Sequence, residues 1–177
     1  MTAAANHIAA SHITNARPAA DRAFPTLDVG TLYTLLFAGA LATVAFDLFG
    51  QALAPAAGFA KLAPVGLAKS TLKAVFGASP KGVGEMLHYA TGMLAYPLGW
   101  LLVARPIWKT VAPRLHWAIP AAAYGVVLWV FALYVMAHLV TGAPAFLGFT
   151  GITWVALWGH VVFALVAGWV IERRRVV

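Results

Sequence analysis

The chain has 177 residues, 62% of them hydrophobic and only 10% Asp, Glu, Lys or Arg, with a formal net charge of +7 and no cysteine. Soluble domains carry about 25% charged residues, so this composition excludes a sizeable soluble module, and the missing cysteine excludes disulfides, thiolate catalysis and Cys-ligated metal. The positive residues lie between hydrophobic stretches and at the chain end, where basic flanks of membrane helices are expected, so the charge does not imply nucleic acid.

Met1 to Gly30 is rich in Ala, Thr, Asn and His and lacks the continuous apolar core of a signal peptide. It reads as a polar N-terminal tail (residues 1–30), and the isolated pair His7 and His12 within it makes a poor metal site. The first span is expected over about 31–53. Gly39, Thr43 and Asp47 recur every four residues there and share a helical face. An ionised carboxylate in hydrocarbon is costly, so Asp47 is expected to face other helices or lie near the headgroups.

Residues 54–84 form the longest connection, with Lys61, Lys69, Lys73 and Lys81 spread through it. Ala60 to Phe76 mixes apolar residues with Lys at spacings of four and eight. It reads as an amphipathic interfacial helix, broken or bent near Pro64 and ended by Gly77, with an irregular loop as the alternative.

The second span is expected over about 84–104. It opens with Glu85 and His88 at the water–lipid boundary, aligns His88, Thr91, Gly92, Ala95 and Gly99 on one face, and contains Tyr96 and Pro97. Pro97 is expected to bend it. Residues 105–117 read as a short basic turn with Arg105, Lys109, Arg114 and His116. The third span is expected over about 117–140, with Tyr124, Phe131, Tyr134 and His138 on one side. The fourth is expected over about 149–171, with Thr153, Ala156, His160, Ala164 and Ala167 as a small-residue face, stopped by Glu172 and three arginines. The transmembrane domain thus covers 31–177, and the fold class is an all-α integral membrane four-helix bundle with one interfacial helix. Arg-bearing flanks put both termini in the cytoplasm.

Threading four spans alternately puts Asp47, His88 and His138 in the same outer third of the membrane. His160, about 11 residues into its span, falls roughly 17 Å in, near the middle. Three readings of these groups stand. One is polar glue between helices. The second is a ligand or proton site made by Asp47, His88 and His138, with Asp47 accepting a ring N–H, and with His160, Tyr96 and Glu85 as secondary candidates. The third is haem b between His88 and His138. No catalytic triad, phosphate loop or paired carboxylates appear, so no catalytic residue is assigned and the type of any metal is open. The expected role is that of an accessory or scaffold subunit or a small-molecule handler, with no cofactor. The alternative is a haem- or metal-binding redox or proton-transfer protein. The partners are the lipid bilayer and, for a scaffold, other membrane proteins.

Gly82-Val83-Gly84-Glu85, His88-Tyr89 and Gly92 resemble a GE…HY…G pattern, and Trp158-Gly159-His160-Val161-Val162-Phe163 resembles the last helix of the same group. Together, over about residues 31–171, the chain resembles a group of four-helix bacterial inner-membrane proteins without an assigned activity. The resemblance implies the fold and a bacterial inner-membrane location, and it implies no reaction. The Lys-rich connection and the long tail depart from that group.

Overall fold

The computed structural model describes residues 28–174, and these contain helices and short connections with no strand. The tail up to residue 27, with His7 and His12, lies outside the described residues.

Helix α1 runs Val29–Ala56, and Asp28 caps it by accepting the Thr31 N–H at 2.7 Å. It therefore starts two residues earlier than periodicity predicts. Helix α2 is Pro64–Phe76. Proline sits at its first turn, where the missing N–H costs nothing, so Pro64 begins this helix and does not bend it. Gly77 ends it at φ +76°, the left-handed conformation that favours glycine. Helix α3 covers residues 83–111, α4 is Ala118–Val140, and α5 is Gly151–Arg173 after a short helical turn at Ala145–Phe149.

Three of these helices, α1, α4 and α5, are long and apolar enough to cross a membrane. Helix α3 is as long, but His88, Tyr89, Thr91, Tyr96 and Pro97 dilute its apolar stretch. It also runs past the expected boundary at residue 104. Arg105 is thus a helical residue, fully buried, and its Nε donates to Glu172 Oε1 of α5 at 2.8 Å. The turn to α4 shortens to 112–117.

Three prolines leave the same signature. Ala54, Tyr96 and Arg105, the residues just before Pro55, Pro97 and Pro106, each donate five residues back, to the carbonyls of Phe49, Thr91 and Trp100. A proline ring clashes with the carbonyl four residues upstream and offers it no N–H. Widening the preceding turn to a π turn relieves the clash without ending the helix. In α3 the extra residue rotates the downstream half of the helix about its axis. Gly92 is buried, Ala95 is exposed, and Tyr96 takes the place that regular spacing assigns to Ala95.

Helix α5 packs along both α1 and α4, and α3 packs against α1. Glycine permits the closest approaches. A Cβ on Gly39 would lie 2.3 Å from the Met93 carbonyl oxygen, and one on Gly125 would lie 2.6 Å from Val161 Cα. The expected small face of α5 is buried throughout, at Thr153, Ala156, His160, Ala164 and Ala167. Helix α2 buries Ala68, Thr71 and Leu72 against the start of α3 and the second half of α4. Its amphipathic face is thus seated on protein. Just upstream, Leu62 is buried, and its N–H donates to the Gly50 carbonyl at 2.9 Å.

Candidate functional site

The Gly39–Thr43–Asp47 face of α1 meets the His88–Gly92 face of α3. At its end, His88 Nε2 lies 3.1 and 3.2 Å from the two carboxylate oxygens of Asp47, with the two side chains 12% and 23% exposed. A carboxylate accepts here, so Nε2 carries the hydrogen. Gln51 Nε2, one helical turn beyond Asp47, donates to Asp47 Oδ1 at 2.8 Å. The carboxylate is thereby held from two sides. Sequence reasoning does not single out Gln51, although its spacing of four from Asp47 on a helix carries the signal.

Phe46 stands between two histidines. Its ring centroid lies 6.4 Å from that of His88 and 5.1 Å from that of His160, with Tyr96 6.3 Å from His160 on another side. His160 is buried, and its Nδ1 donates to the Ala156 carbonyl at 2.8 Å within α5. Tyr96 contributes its carbonyl as well, accepting from the Tyr124 hydroxyl at 2.7 Å.

His138 is engaged elsewhere. Its Nδ1 donates to the Ala143 carbonyl at 2.7 Å in the turn after α4, and its ring packs 5.4 Å from Tyr134. The histidine beside the Asp47–His88 pair, across Phe46, is instead His160. Alternate threading matches His138 to His88 in depth. Depth does not define which face of a helix a side chain occupies, and the hydrogen bond to its own turn takes His138 to another face. Glu85 lies at the surface, 2.6 Å from Lys69 Nζ, and this pair joins α3 to α2.

Between α1, α2, α3, α4 and α5 lies a cavity of about 540 Å³. Its wall is mostly apolar, with Phe46, Leu67, Phe131, Leu133 and Phe163 among the lining side chains. Polar lining comes from Thr43, Ser70, Thr71, His88, Thr91, Tyr96, Thr141 and His160. No Asp, Glu, Lys or Arg lines it, and Asp47, Glu85 and His138 are off its wall. The Thr43 hydroxyl is buried without a hydrogen-bond partner. Among the described residues no three His, Asp or Glu side chains gather in a metal-binding group.

The polar groups on the wall have defined chemistry. A carbonyl oxygen can only accept, so His160 Nδ1 carries a hydrogen, and Nε2 of the neutral ring keeps a bare lone pair. By the same logic Nδ1 of neutral His88 is bare while Nε2 serves Asp47. The site therefore joins two fixed imidazole tautomers to an apolar chamber.

No family profile, curated protein or solved structure matches this chain. The likeness to four-helix inner-membrane proteins thus rests on its short motifs.

Proposed function

We propose that this is a four-span membrane protein that holds a small, mostly apolar molecule in the chamber between its helices, without itself carrying out a reaction. The observation that carries this reading is the cavity of about 540 Å³, in the range of pockets that enclose drug-sized ligands, about 300–1,000 Å³. Its apolar wall with a few convergent polar groups has the composition of such sites. In this reading α3 is the fourth span. Two of its polar residues are met from neighbouring helices: Asp47 accepts from His88, and the Tyr124 hydroxyl donates to the Tyr96 carbonyl. Residues 31–177 are the membrane domain and residues 1–30 a tail. The location is a bacterial inner membrane with both ends cytoplasmic, supported by Arg in the flanks of both ends. Lipid surrounds the exposed apolar residues, and other membrane proteins remain partners for a scaffold role.

The test is native mass spectrometry of the protein released from bilayers. The wild type is expected to retain a small apolar adduct, and Phe131→Trp, which narrows the chamber, is expected to weaken its retention. A wild type that carries no adduct and takes none up from a panel of apolar compounds rejects the reading.

One observation favours a second reading, haem b or a metal held for redox or proton transfer. Two imidazoles with bare nitrogens, His88 and His160, line a single chamber. A Soret band in the purified protein that shifts on reduction, and that disappears in His160→Leu, would establish it. A featureless visible spectrum would remove it.

A further inference from the structure

We infer that the chamber opens sideways into the bilayer, through a slit between α3 and the second half of α4, and that its occupant is a molecule dissolved in the membrane and drawn from there. This inference rests on the reading of the chamber as a ligand site and deepens it by naming the phase that supplies the ligand.

Helix packing leaves the slit. Helix α3 packs on the first half of α4 through Trp100–Ala104, and just before that segment the Tyr96 carbonyl accepts from the Tyr124 hydroxyl. Toward the other end the two helices part. Helix α2 lies across that end, packed on Val83–Ala90 of α3 and on Phe131–Val140 of α4. The pair of Lys69 with Glu85 holds it to α3, and the Leu62 N–H bonded to the Gly50 carbonyl holds its lead-in to α1. Between the two ends, the turn of α3 at Thr91–Ala95 packs on α1 and has no comparable packing on α2 or α4. Thr91 and Phe131 both line the chamber, so at this level the chamber itself separates α3 from α4.

Exposure tells on which side the chamber opens. On α1 and α5 its wall is closed: Thr43, Phe46, Ala156, His160 and Phe163 are all buried. The exposed residues of its lining are Ala63, Gly66 and Ser70, on α2 and its lead-in, and Phe131 on α4. Phe131 fixes what lies outside. It sits near the middle of α4, a helix long and apolar enough to cross a membrane, and hydrocarbon about 30 Å thick surrounds the middle of such a helix. Its neighbours Val127, Val130 and Tyr134 are exposed as well. The apolar stretch of α4 is only 28% buried, against 44% for α1 and 56% for α5, so α4 presents most of its surface to lipid. A residue that lines the chamber and is also 42% exposed on such a helix marks an opening at hydrocarbon depth. Lateral entry also spares an apolar molecule the unfavourable passage through water.

The experiment places the full chain in nanodiscs with trifluoromethyl-iodophenyl-diazirine, a small apolar photolabel that dissolves in lipid. Leu133, Ala156 and Phe163 line the chamber and are at most 4% exposed, so a label on them after photolysis reports probe inside it. Trp154 and Trp158, exposed on α5, report probe in the surrounding lipid. The chain has no cysteine, so paired cysteines can be tethered by a bis-maleimide without competing thiols. Thr91→Cys/Phe131→Cys puts a tether across the slit, and Lys69→Cys/Glu85→Cys puts one between α2 and α3. The wild type is expected to be labelled at the three chamber residues. The tether across the slit is expected to abolish that labelling when formed before the probe is added and to preserve it when formed afterwards, with Trp154 and Trp158 labelled throughout. The α2–α3 tether is expected to change nothing. Chamber labelling that does not depend on this order, or that the α2–α3 tether abolishes, overturns the inference and leaves the chamber a ligand site. No chamber labelling in the wild type overturns it and speaks against the ligand site itself. Each pair is its own control before tethering, and Thr91→Cys/Met136→Cys, also on the wall, replaces the first pair if that one does not fold.

Discussion

Asp47 is the residue on which the α1–α3 contact turns. It accepts from His88 across the helix interface and from Gln51 along its own helix. Side-chain hydrogen bonds between membrane helices average about 0.6 kcal/mol, with a maximum near 1.7. With both carboxylate oxygens within 3.2 Å of Nε2, this bond is expected toward the upper part of that range. A double-mutant cycle of Asp47→Ala and His88→Leu, read by thermal unfolding in detergent, is expected to give a coupling of about 1 kcal/mol. Additive losses would mean that the two side chains are neighbours without an energetic bond. Arg105 and Glu172 provide a more buried pair, with the Arg side chain 1% exposed. Removing one partner of such a pair strands the other charge and costs about 3–5 kcal/mol. Arg105→Met is expected to lower the melting temperature sharply, and the double variant Arg105→Met/Glu172→Leu to recover much of the loss. If the double variant is worse than either single one, the pair is not the source of the effect.

At the scale of the helix, glycines and prolines set how the elements meet. Without a hydrophobic force between helices in lipid, association relies on close packing at small residues. Gly39→Ala would push a methyl into the Met93 carbonyl oxygen, and Gly125→Ala would push one into α5 backbone at His160 and Val161. Backbone cannot swing aside as a side chain can. Both variants are therefore expected to lose stability despite the helix propensity that Ala gains over Gly, about 1 kcal/mol. Gly66→Ala in α2 meets only Ala63 Cβ at an ordinary 3.6 Å and is expected to be neutral or stabilising. In α3, Gly92→Leu would meet Thr43, whereas Leu94 is exposed, so Leu94→Phe is expected to assemble normally where Gly92→Leu does not. Thermal unfolding and gel filtration in detergent check these variants together. Equal behaviour of Gly92→Leu and Leu94→Phe would contradict the buried face described for α3.

For the molecule as a whole, the proposed topology rests on the distribution of charge. Under the proposed four-span topology, Arg17, Arg22, Arg105, Lys109, Arg114 and the terminal arginines fall on one side, and the four lysines of the longer connection on the other. Reporters fused at Met1 and at Val177 are both expected to score as cytoplasmic. A periplasmic signal at either end would reverse the orientation or change the number of crossings. The ion pair of Lys69 with Glu85 ties α2, which lines the chamber, to the start of α3.

Much of this architecture is legible in the amino-acid order, because lipid imposes a one-dimensional rule. Where Asp, Glu, Lys and Arg are absent for a long stretch, an apolar helix is expected, and α1, α4 and α5 lie close to where that rule puts them. Helical spacing also identifies the shared faces of Gly39, Thr43 and Asp47 and of His88 and Gly92, since a spacing of three or four is local geometry. Four features required the tertiary structure. The π turns before the prolines rotate α3, so that Tyr96 replaces Ala95 on the face; regular spacing cannot register an inserted residue. The buried pair of Arg105 and Glu172 joins residues far apart in the chain, which no local pattern encodes. The choice of His160 over His138 beside His88 depends on rotation about each helix axis, and depth along the membrane constrains only translation. The chamber likewise belongs to no single segment. It is the space left where five helices meet, bounded by side chains from all of them, Phe46, Leu67, Tyr96, Phe131 and Phe163 among them.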